Sequence, residues 1–147
     1  IYFSGANTGS PDILDKILND HVKFLPARQA HVDSPDPDEI TAWFRGRVNF
    51  PVLPPAISAK LLGGRLCVLG KKHFALLFYE YGKSPVSVFI TDGNIPRNLK
   101  TKKEVMLKDK RAYVMDKRDY TILFWEDKGL MYSLVSEMDT EQIIKIF

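Results

Sequence analysis

The side chains best suited to nucleophilic or metal chemistry in this sequence are three histidines and one cysteine. His21, His31 and His73 lack the spacing that places two zinc ligands on one helix face, and a catalytic zinc site uses three protein ligands. No serine lies in the Gly-x-Ser-x-Gly pattern of a serine hydrolase. We therefore predict no catalytic residue, no metal and no cofactor, and we expect that the chain is not an enzyme.

One acidic loop leaves an alternative open. His31 is followed closely in sequence by three aspartates, and such a group could bind a metal ion for hydrolysis. The aspartates are Asp33, Asp36 and Asp38. A metal-dependent hydrolase is the least favoured of the functions that the sequence allows. For His21, which falls on an apolar helix stripe, we expect a partly buried and hydrogen-bonded side chain.

Cys67 is the only cysteine, so an intramolecular disulfide is impossible. It lies in the middle of a predicted strand, where a buried structural thiol is expected rather than a reactive one. Arg65 on the same strand face is weak support for a reactive thiolate. A single cysteine is compatible with the cytoplasm and with the periplasm.

A basic segment is the strongest charge feature. Residues 94–118 contain nine basic and three acidic groups, a local charge of +6 in a chain whose net charge is +3. Such asymmetry indicates a surface for anionic partners. Only Tyr113 is an aromatic residue within it, so stacking on bases is poorly supported and no nucleic-acid partner is predicted. The predicted anionic-partner surface comprises Arg97, Lys100, Lys102, Lys103, Lys108 and Lys110.

Length and composition describe an ordinary folded domain. The chain has 147 residues, 45% of them hydrophobic and 27% charged, which excludes disorder and provides for one core without disulfides. No apolar run approaches the roughly 20 residues of a membrane-spanning helix, and there is no signal peptide. The sequence starts at Ile1 rather than Met, so we expect a piece of a longer protein whose other parts include a membrane anchor. We assign residues 1–9 to a flexible lead-in and residues 10–147 to one domain.

Three helices are predicted. Ser10-Pro11-Asp12 begins the first, and Pro26 ends it. Its apolar stripe comprises Leu14, Ile17, Leu18, His21, Val22 and Leu25. A capping box of Asp36 with Glu39 begins the second helix, and Gly46 lies at its C-terminal end. A second capping box, Asp139 with Gln142, begins a helix at the end of the chain.

From Gly63 onward the hydrophobic period changes to that of strands. Strands are predicted over 65–69, 73–81, 85–91, 111–115, 120–125 and 130–136. Residues 57–62 are predicted as a short helical turn, residues 94–111 as an irregular segment, and Gly63-Gly64 as a turn or a close backbone approach. Two N-terminal helices, an antiparallel β-meander of five to six strands and a C-terminal helix define an α+β fold.

A series of short motifs extends over roughly residues 20–147. In chain order they are Asp20-His21, Ser34-Pro35-Asp36-Pro37, Trp43-Phe44-x-Gly46 with Phe50-Pro51 and Pro54, Leu62-Gly63-Gly64-Arg65-Leu66, Gly82 with Val86-Ser87-Val88-Phe89, Trp125 with Gly129-Leu130-x-Tyr132, and Val135-Ser136. Their order resembles the extracytoplasmic domain of bacterial transmembrane anti-sigma factors of the zinc-finger type. The segment 94–111 and Cys67 depart from that pattern.

The resemblance implies a sensory or regulatory domain of a membrane-anchored protein, on the periplasmic side of the bacterial inner membrane. Such a protein controls transcription by sequestering a sigma factor through a cytoplasmic segment absent here. The expected partner of this domain is a protein or a small-molecule signal. The sigma factor would be bound only through the missing segment, and the membrane only through the missing anchor.

A ligand site is predicted around the first helices and the start of the sheet. We place it at His21, Trp43, Phe44 and Arg65, because His21 and Trp43 lie on separate helices and Arg65 opens the first predicted strand. The alternative function is a secreted or cytoplasmic interaction module that holds anionic partners through residues 94–111. Strong salt dependence of polyanion binding would favour that alternative.

Overall fold

The computed structural model describes residues 13–24, 29–100 and 103–147. The predicted lead-in, the Ser10-Pro11-Asp12 helix start and the Pro26 helix stop lie outside these ranges. Within the ranges the helices are α1 (Ile13–Phe24), α2 (Pro37–Phe44) and α3 (Thr140–Ile144). The strands are β1 (Val32–Asp33), β2 (Lys60–Leu69), β3 (Lys72–Tyr81), β4 (Ser84–Asp92), β5 (Lys103–Leu107), β6 (Lys110–Lys117), β7 (Tyr120–Asp127) and β8 (Leu130–Ser136).

All eight of these strands form one antiparallel sheet, in the order β1-β2-β3-β4-β8-β7-β6-β5. Strands β1 to β4 follow one another through the first half, and β5 to β8 follow one another through the second. The two halves meet where β4 pairs with β8, from Val86 opposite Ser136 to Asp92 opposite Leu130. Residues 93–102 therefore connect a central strand to the far edge of the sheet.

The predicted meander of five to six strands is wrong, although the fold remains broadly α+β. The sheet has eight strands among the described residues, and its two halves are joined out of sequence order. Residues 57–62 are not a helical turn, because β2 already begins at Lys60, opposite Glu80 of β3. Residues 94–111 are not irregular throughout, because they include β5 and the start of β6.

Helix α1 packs on one face of the sheet. Leu14, Ile17, Leu18 and Phe24 are buried in one apolar cluster with side chains of the sheet, as the predicted stripe requires. Val22 of the predicted stripe is instead 46% exposed. Ile95 and Leu99 join the same cluster, so this part of the chain lies on the α1 face of the sheet.

Helices α2 and α3 and the segment between α2 and β2 cover the opposite face. Ile40, Phe44, Val52 and Ile143 belong to a second cluster with the other side of the sheet. None of the helices in the described ranges is long and apolar enough to cross a membrane.

The helix caps of α2 and α3 differ from each other. Asp36 caps α2 by accepting a hydrogen bond from the Asp38 backbone at 2.9 Å, but Glu39 accepts from the Ser34 hydroxyl, so the predicted capping box does not form there. The capping box that Asp139 and Gln142 were predicted to form is confirmed at α3, with hydrogen bonds in both directions.

Gly63 and Gly64 allow β1 to approach β2 closely, as one of the two sequence interpretations requires. A Cβ atom on Gly63 would lie 2.5 Å from the Val32 carbonyl oxygen. Pairing of β1 with β2 therefore depends on the missing side chain at this position.

Candidate functional site

A cleft of about 370 Å³ opens on the α3 face, at the end of the sheet where the β5–β6 and β7–β8 hairpins turn. It is lined by Leu53, Pro54, Pro55, Ala56, Leu107, Lys108, Asp109, Lys110, Trp125, Asp127, Lys128, Tyr132 and Phe147. These residues come from three separate parts of the chain: the segment before β2, the second half of the sheet, and the residues after α3. The cleft is therefore a product of the tertiary fold.

The floor of the cleft is aromatic. Trp125 of β7 and Tyr132 of β8 are cross-strand partners whose rings stack with centroids 5.1 Å apart and an interplanar angle of 7°. The Phe147 ring is perpendicular to that of Trp125, with the two centroids 5.2 Å apart. This arrangement gives a rigid apolar base, because both stacked rings are almost fully buried.

One wall is the proline-containing segment 53–56, and hydrogen bonds fix it to the sheet and to the end of the chain. The Tyr132 hydroxyl donates to the Leu53 carbonyl at 3.1 Å, and the Tyr79 hydroxyl donates to that of Pro55 at 3.4 Å. The Ser58 backbone donates to the Ile146 carbonyl at 2.6 Å. Each of the three carbonyls in this arrangement therefore has a hydrogen-bond donor.

Burial, and secondarily the nearby Asp127 carboxylate, raises the pKa of Tyr132 to about 12. Burial also raises the pKa of Tyr79. Both hydroxyls thus stay protonated through the neutral range and keep their hydrogen bonds to the wall. The wall is expected to move only if the sheet or the residues after α3 move with it.

The rim of the cleft is charged. Lys108 and Lys128 are exposed on the two hairpin turns, and Lys110 forms an ion pair with Asp127 at 3.7 Å. Asp109 also lines the cleft. Three lysines thus face two aspartates, so an anionic group bound at the rim meets a net positive charge.

The predicted ligand site is divided by the sheet. His21 and Arg65 lie on the α1 face, whereas Phe44 is buried on the opposite face and Trp43 packs against it at 4.9 Å. The structure brings Trp43 and Phe44 together but separates them from His21 and Arg65. None of the four lines the cleft described above.

His21 links α1 to the sheet. Its side chain is 1% exposed, and its Nδ1 lies 2.6 Å from the Ser87 hydroxyl of β4. Its ring is nearly perpendicular to that of Tyr120, with the two centroids 5.2 Å apart. Burial lowers the pKa of His21 to about 4, so the imidazole is neutral at pH 7. This close Ser–His contact is enclosed between helix and sheet, and it forms a packing contact that substrate in solvent does not reach.

Arg65 and Trp43 each make contacts of their own. The Arg65 guanidinium lies 3.9 Å from the Phe24 ring centroid and donates to the Gln29 carbonyl at 2.6 Å. The Trp43 ring contacts the Arg47 guanidinium at 4.3 Å. These are stacking contacts of the kind that order loops and helix ends.

Cys67 is buried on the α1 face, as predicted. Burial is the main reason that its pKa is raised to about 12, and the Asp20 carboxylate adds to the effect. Burial likewise raises the pKa of Asp20. The thiol is therefore protonated at neutral pH and is a poor nucleophile.

The acidic group that was left open as an alternative metal site does not assemble. Within residues 13–24, 29–100 and 103–147, no group of three or more His, Cys, Asp or Glu side chains is arranged to hold a metal ion. His31 Nδ1 instead accepts a hydrogen bond from the Leu66 backbone at 3.1 Å, and its ring lies 5.8 Å from that of Trp43.

Two residues of the predicted anionic-partner surface form ion pairs with carboxylates. Lys100 pairs with Glu126 at 3.3 Å and Lys110 with Asp127 at 3.7 Å. Arg97, Lys103 and Lys108 are exposed, and in the part of the chain that the structure describes no carboxylate forms an ion pair with them. Lys102 lies outside the described residues.

Most of the cleft was not predicted as a site. Pro54, Trp125 and Tyr132 belong to the motifs of the resemblance, and Lys108 and Lys110 belong to the predicted anionic-partner surface. The one sequence signal for the cleft is that Pro54 and Trp125, about 70 positions apart, both belong to the motifs of the resemblance.

The structure is that of an α+β domain with one antiparallel sheet and a small cleft at the sheet's end. The chain belongs to the family described as "Domain of unknown function (DUF4367)", whose profile matches residues 71–147. No curated protein matched the sequence. A solved structure described as a GTP binding regulator from Thermotoga maritima aligns with a TM-score of 0.39 and 15% identity, over 60% of this chain and 73% of that chain. That likeness is too weak to support an argument about this protein.

Proposed function

We propose that this chain is the extracytoplasmic regulatory domain of a membrane-anchored anti-sigma factor, and that the cleft is its receptor site. The observation behind the proposal is that Pro54, Trp125 and Tyr132, which belong to the motifs of the resemblance, line one cleft. Membership of the DUF4367 family is compatible with this role, because the match includes the strands that bear Trp125 and Tyr132.

The contacts around the cleft connect it to other parts of the domain, so a bound ligand can change the domain's conformation. The wall 53–56 is bonded to Tyr132 in the sheet, and Ser58 just beyond it is bonded to Ile146 after α3. A ligand inserted between the wall and the floor would favour whichever arrangement of these three parts it binds better. In this proposal, that shift alters the sequestration of the sigma factor by another part of the same gene product.

The first test is the complete coding sequence. The proposal requires a Cys/His zinc motif and a membrane-spanning helix elsewhere in the gene product. A secretory signal without these features, or an attached catalytic domain, would overturn the anti-sigma assignment.

The second test is transcription from a sigma-dependent reporter in cells that carry the full gene product. Ala56→Trp places a large side chain in the cleft and is expected to change reporter output relative to wild type. Val22→Trp is the matched control, because Val22 is an exposed residue of α1 on the opposite face. Equal output from wild type and both variants, at equal protein levels, would argue against the cleft as the receptor site.

The alternative is an interaction module that binds anionic partners through residues 94–111. It is favoured by the three exposed basic residues without an ion pair in the described part of the chain, Arg97, Lys103 and Lys108. Binding of heparin or of anionic vesicles at low salt that weakens steeply with ionic strength would support this alternative. Absence of such binding at low salt would remove it.

A further inference from the structure

The two lysines at the tips of the hairpins are available to a ligand in the cleft. Lys108 and Lys128 both line it and are exposed, and among the described residues neither forms an ion pair with a carboxylate. Lys110, by contrast, is engaged by Asp127. Two free cations thus lie at the mouth of a cavity whose interior is apolar.

The interior has the size of a small-molecule site. Its volume of about 370 Å³ lies in the lower part of the range of roughly 300–1,000 Å³ that is usual for ligand pockets. Leu53, Pro54, Pro55, Leu107 and Phe147 supply apolar surface around the stacked aromatic floor. The apolar part of a small ligand would be removed from water there, whereas a long extended chain would not fit in the cleft.

The charges at the rim limit the ligand further. Asp109 and Asp127 lie at the same rim as the lysines. A ligand with several negative charges would bring some of them close to these carboxylates, whereas a single anionic group can be oriented toward Lys108 and Lys128.

We propose that the cleft binds a small apolar molecule that bears one anionic group, such as a carboxylate, a sulfonate or a phosphate. The apolar body lies against the floor and the proline wall, and the anionic group pairs with Lys108 and Lys128. This inference rests on the proposed function in taking the cleft as the receptor site, and it adds the chemical class of the ligand.

The backbone at the two lysines makes a clean test possible. Lys108 and Lys128 each have a φ of 52°, in the left-handed region, where asparagine is tolerated better than lysine. Substitution by asparagine therefore removes the cation without straining the turn. Arg118 is the matched control: its φ is 51°, and it lies on the β6–β7 turn at the opposite end of the strands, about 25 Å from the β5–β6 turn.

The experiment is a fluorescence titration of the chain with anilinonaphthalene sulfonate, an aromatic molecule with one sulfonate. Phenylnaphthylamine, which has the same ring systems without the sulfonate, is titrated in parallel. The double variant Lys108→Asn/Lys128→Asn is expected to raise the Kd of the sulfonate about tenfold and to leave the Kd of the neutral molecule unchanged. Arg118→Asn is expected to leave both values unchanged.

Thermal unfolding of each variant accompanies the titration, because anilinonaphthalene sulfonate also binds to loosened proteins. An unchanged or raised Tm in the double variant would assign its loss of affinity to the missing charges. Ala56→Trp is expected to weaken binding of both molecules, since it fills the space that they share.

Three outcomes would overturn the inference. One is equal affinity for the two molecules with no effect of the lysine variants, which would describe an apolar cleft without anion selectivity. Another is an equal loss of sulfonate binding in Arg118→Asn. A third is no saturable binding of either molecule. The anti-sigma proposal would survive all three if the coding sequence and the reporter support it, and it would fail independently if they do not.

Discussion

At the level of single residues, the contact between His21 and Ser87 is a buried polar connection between α1 and the sheet. Both side chains are buried, and Nδ1 and the hydroxyl are 2.6 Å apart. Ser133, on the neighbouring strand β8, is also fully buried, but its hydroxyl has no hydrogen-bond partner among the described residues. The two serines therefore provide a matched pair of substitutions.

Ser87→Ala is expected to lower the free energy of unfolding by about 1–3 kcal/mol, because it leaves a buried imidazole nitrogen without a partner. Ser133→Ala removes an unpaired hydroxyl and is expected to be neutral or slightly stabilising. Urea denaturation of the two variants measures the difference. Equal destabilisation would mean that the hydrogen bond to His21 adds nothing to the effect of removing one buried hydroxyl group.

The buried imidazole also predicts a pH dependence of stability. Burial lowers the pKa of His21 from 6.5 to about 4, so below pH 6.5 the unfolded chain binds a proton that the folded chain does not. The contribution of His21 to stability is therefore complete above pH 6.5 and decreases as the pH falls toward 4. The decrease amounts to about 3 kcal/mol.

The measurement is the free energy of unfolding between pH 7 and pH 4 for wild type and His21→Gln. Carboxylates contribute to acid unfolding in both proteins, so the difference between the two curves isolates His21. His73→Gln is the control, since His73 is exposed at the start of β3. A difference curve that is flat over this pH range would contradict the prediction.

At the level of elements, β1 is a strand of two residues that depends on its neighbour. Val32 pairs with Gly64 and Asp33 with Gly63, and a Cβ on Gly63 would lie 2.5 Å from the Val32 carbonyl oxygen. A Cβ on Gly64 would instead lie 3.2–3.3 Å from atoms of Leu76, Leu77 and Phe44, a tight but smaller conflict. The two glycines thus differ in what a methyl group would displace.

Gly63→Ala is expected to separate β1 from β2 and to cost about 1–3 kcal/mol of stability. Gly64→Ala is expected to cost less than about 1 kcal/mol, because reduced freedom of the unfolded chain offsets part of the crowding. Chemical denaturation gives the costs, and amide exchange at Val32 reports the pairing of β1. A larger cost for Gly64→Ala would show that the α2 contact, and not β1, determines the need for glycine.

Several of these elements could be predicted from sequence, and the reasons for the others are physical. The stripe of α1 and the capping box of α3 are local signals, and each predicted its element. Strand β5 was not predicted, because its five residues include two charged ones at the edge of the sheet, and its turn contains no glycine. Strand β1 has only two residues, so its pairing depends on tertiary contacts.

At the level of the whole molecule, the location of the site depends on the strand order, which was not predicted. Pairing of β4 with β8 puts the second hairpin series beside the first and brings Trp125 and Tyr132 under the segment 53–56. The sheet also separates His21 from Trp43, which the sequence placed in one site.

The two faces of the sheet carry separate apolar clusters. We therefore expect binding in the cleft to change local stability on one face only. The cleft and α3 belong to one cluster, and α1 packs into the other. A ligand at 100 times its Kd raises the stability of the folded state by about 2.7 kcal/mol. Local protection beyond this global effect should appear where the ligand makes contact.

With anilinonaphthalene sulfonate bound, hydrogen–deuterium exchange is expected to slow in residues 53–58, in the β5–β6 and β7–β8 turns and in α3. Exchange in α1 is expected to change no more than the global stabilisation requires. The Lys108→Asn/Lys128→Asn protein at the same ligand concentration is the control and should show little protection in the turns. Equal protection of α1 and of segment 53–58 would contradict this prediction. It would mean that the sheet transmits the effect of ligand binding from one face to the other, so that both faces could carry the regulatory signal.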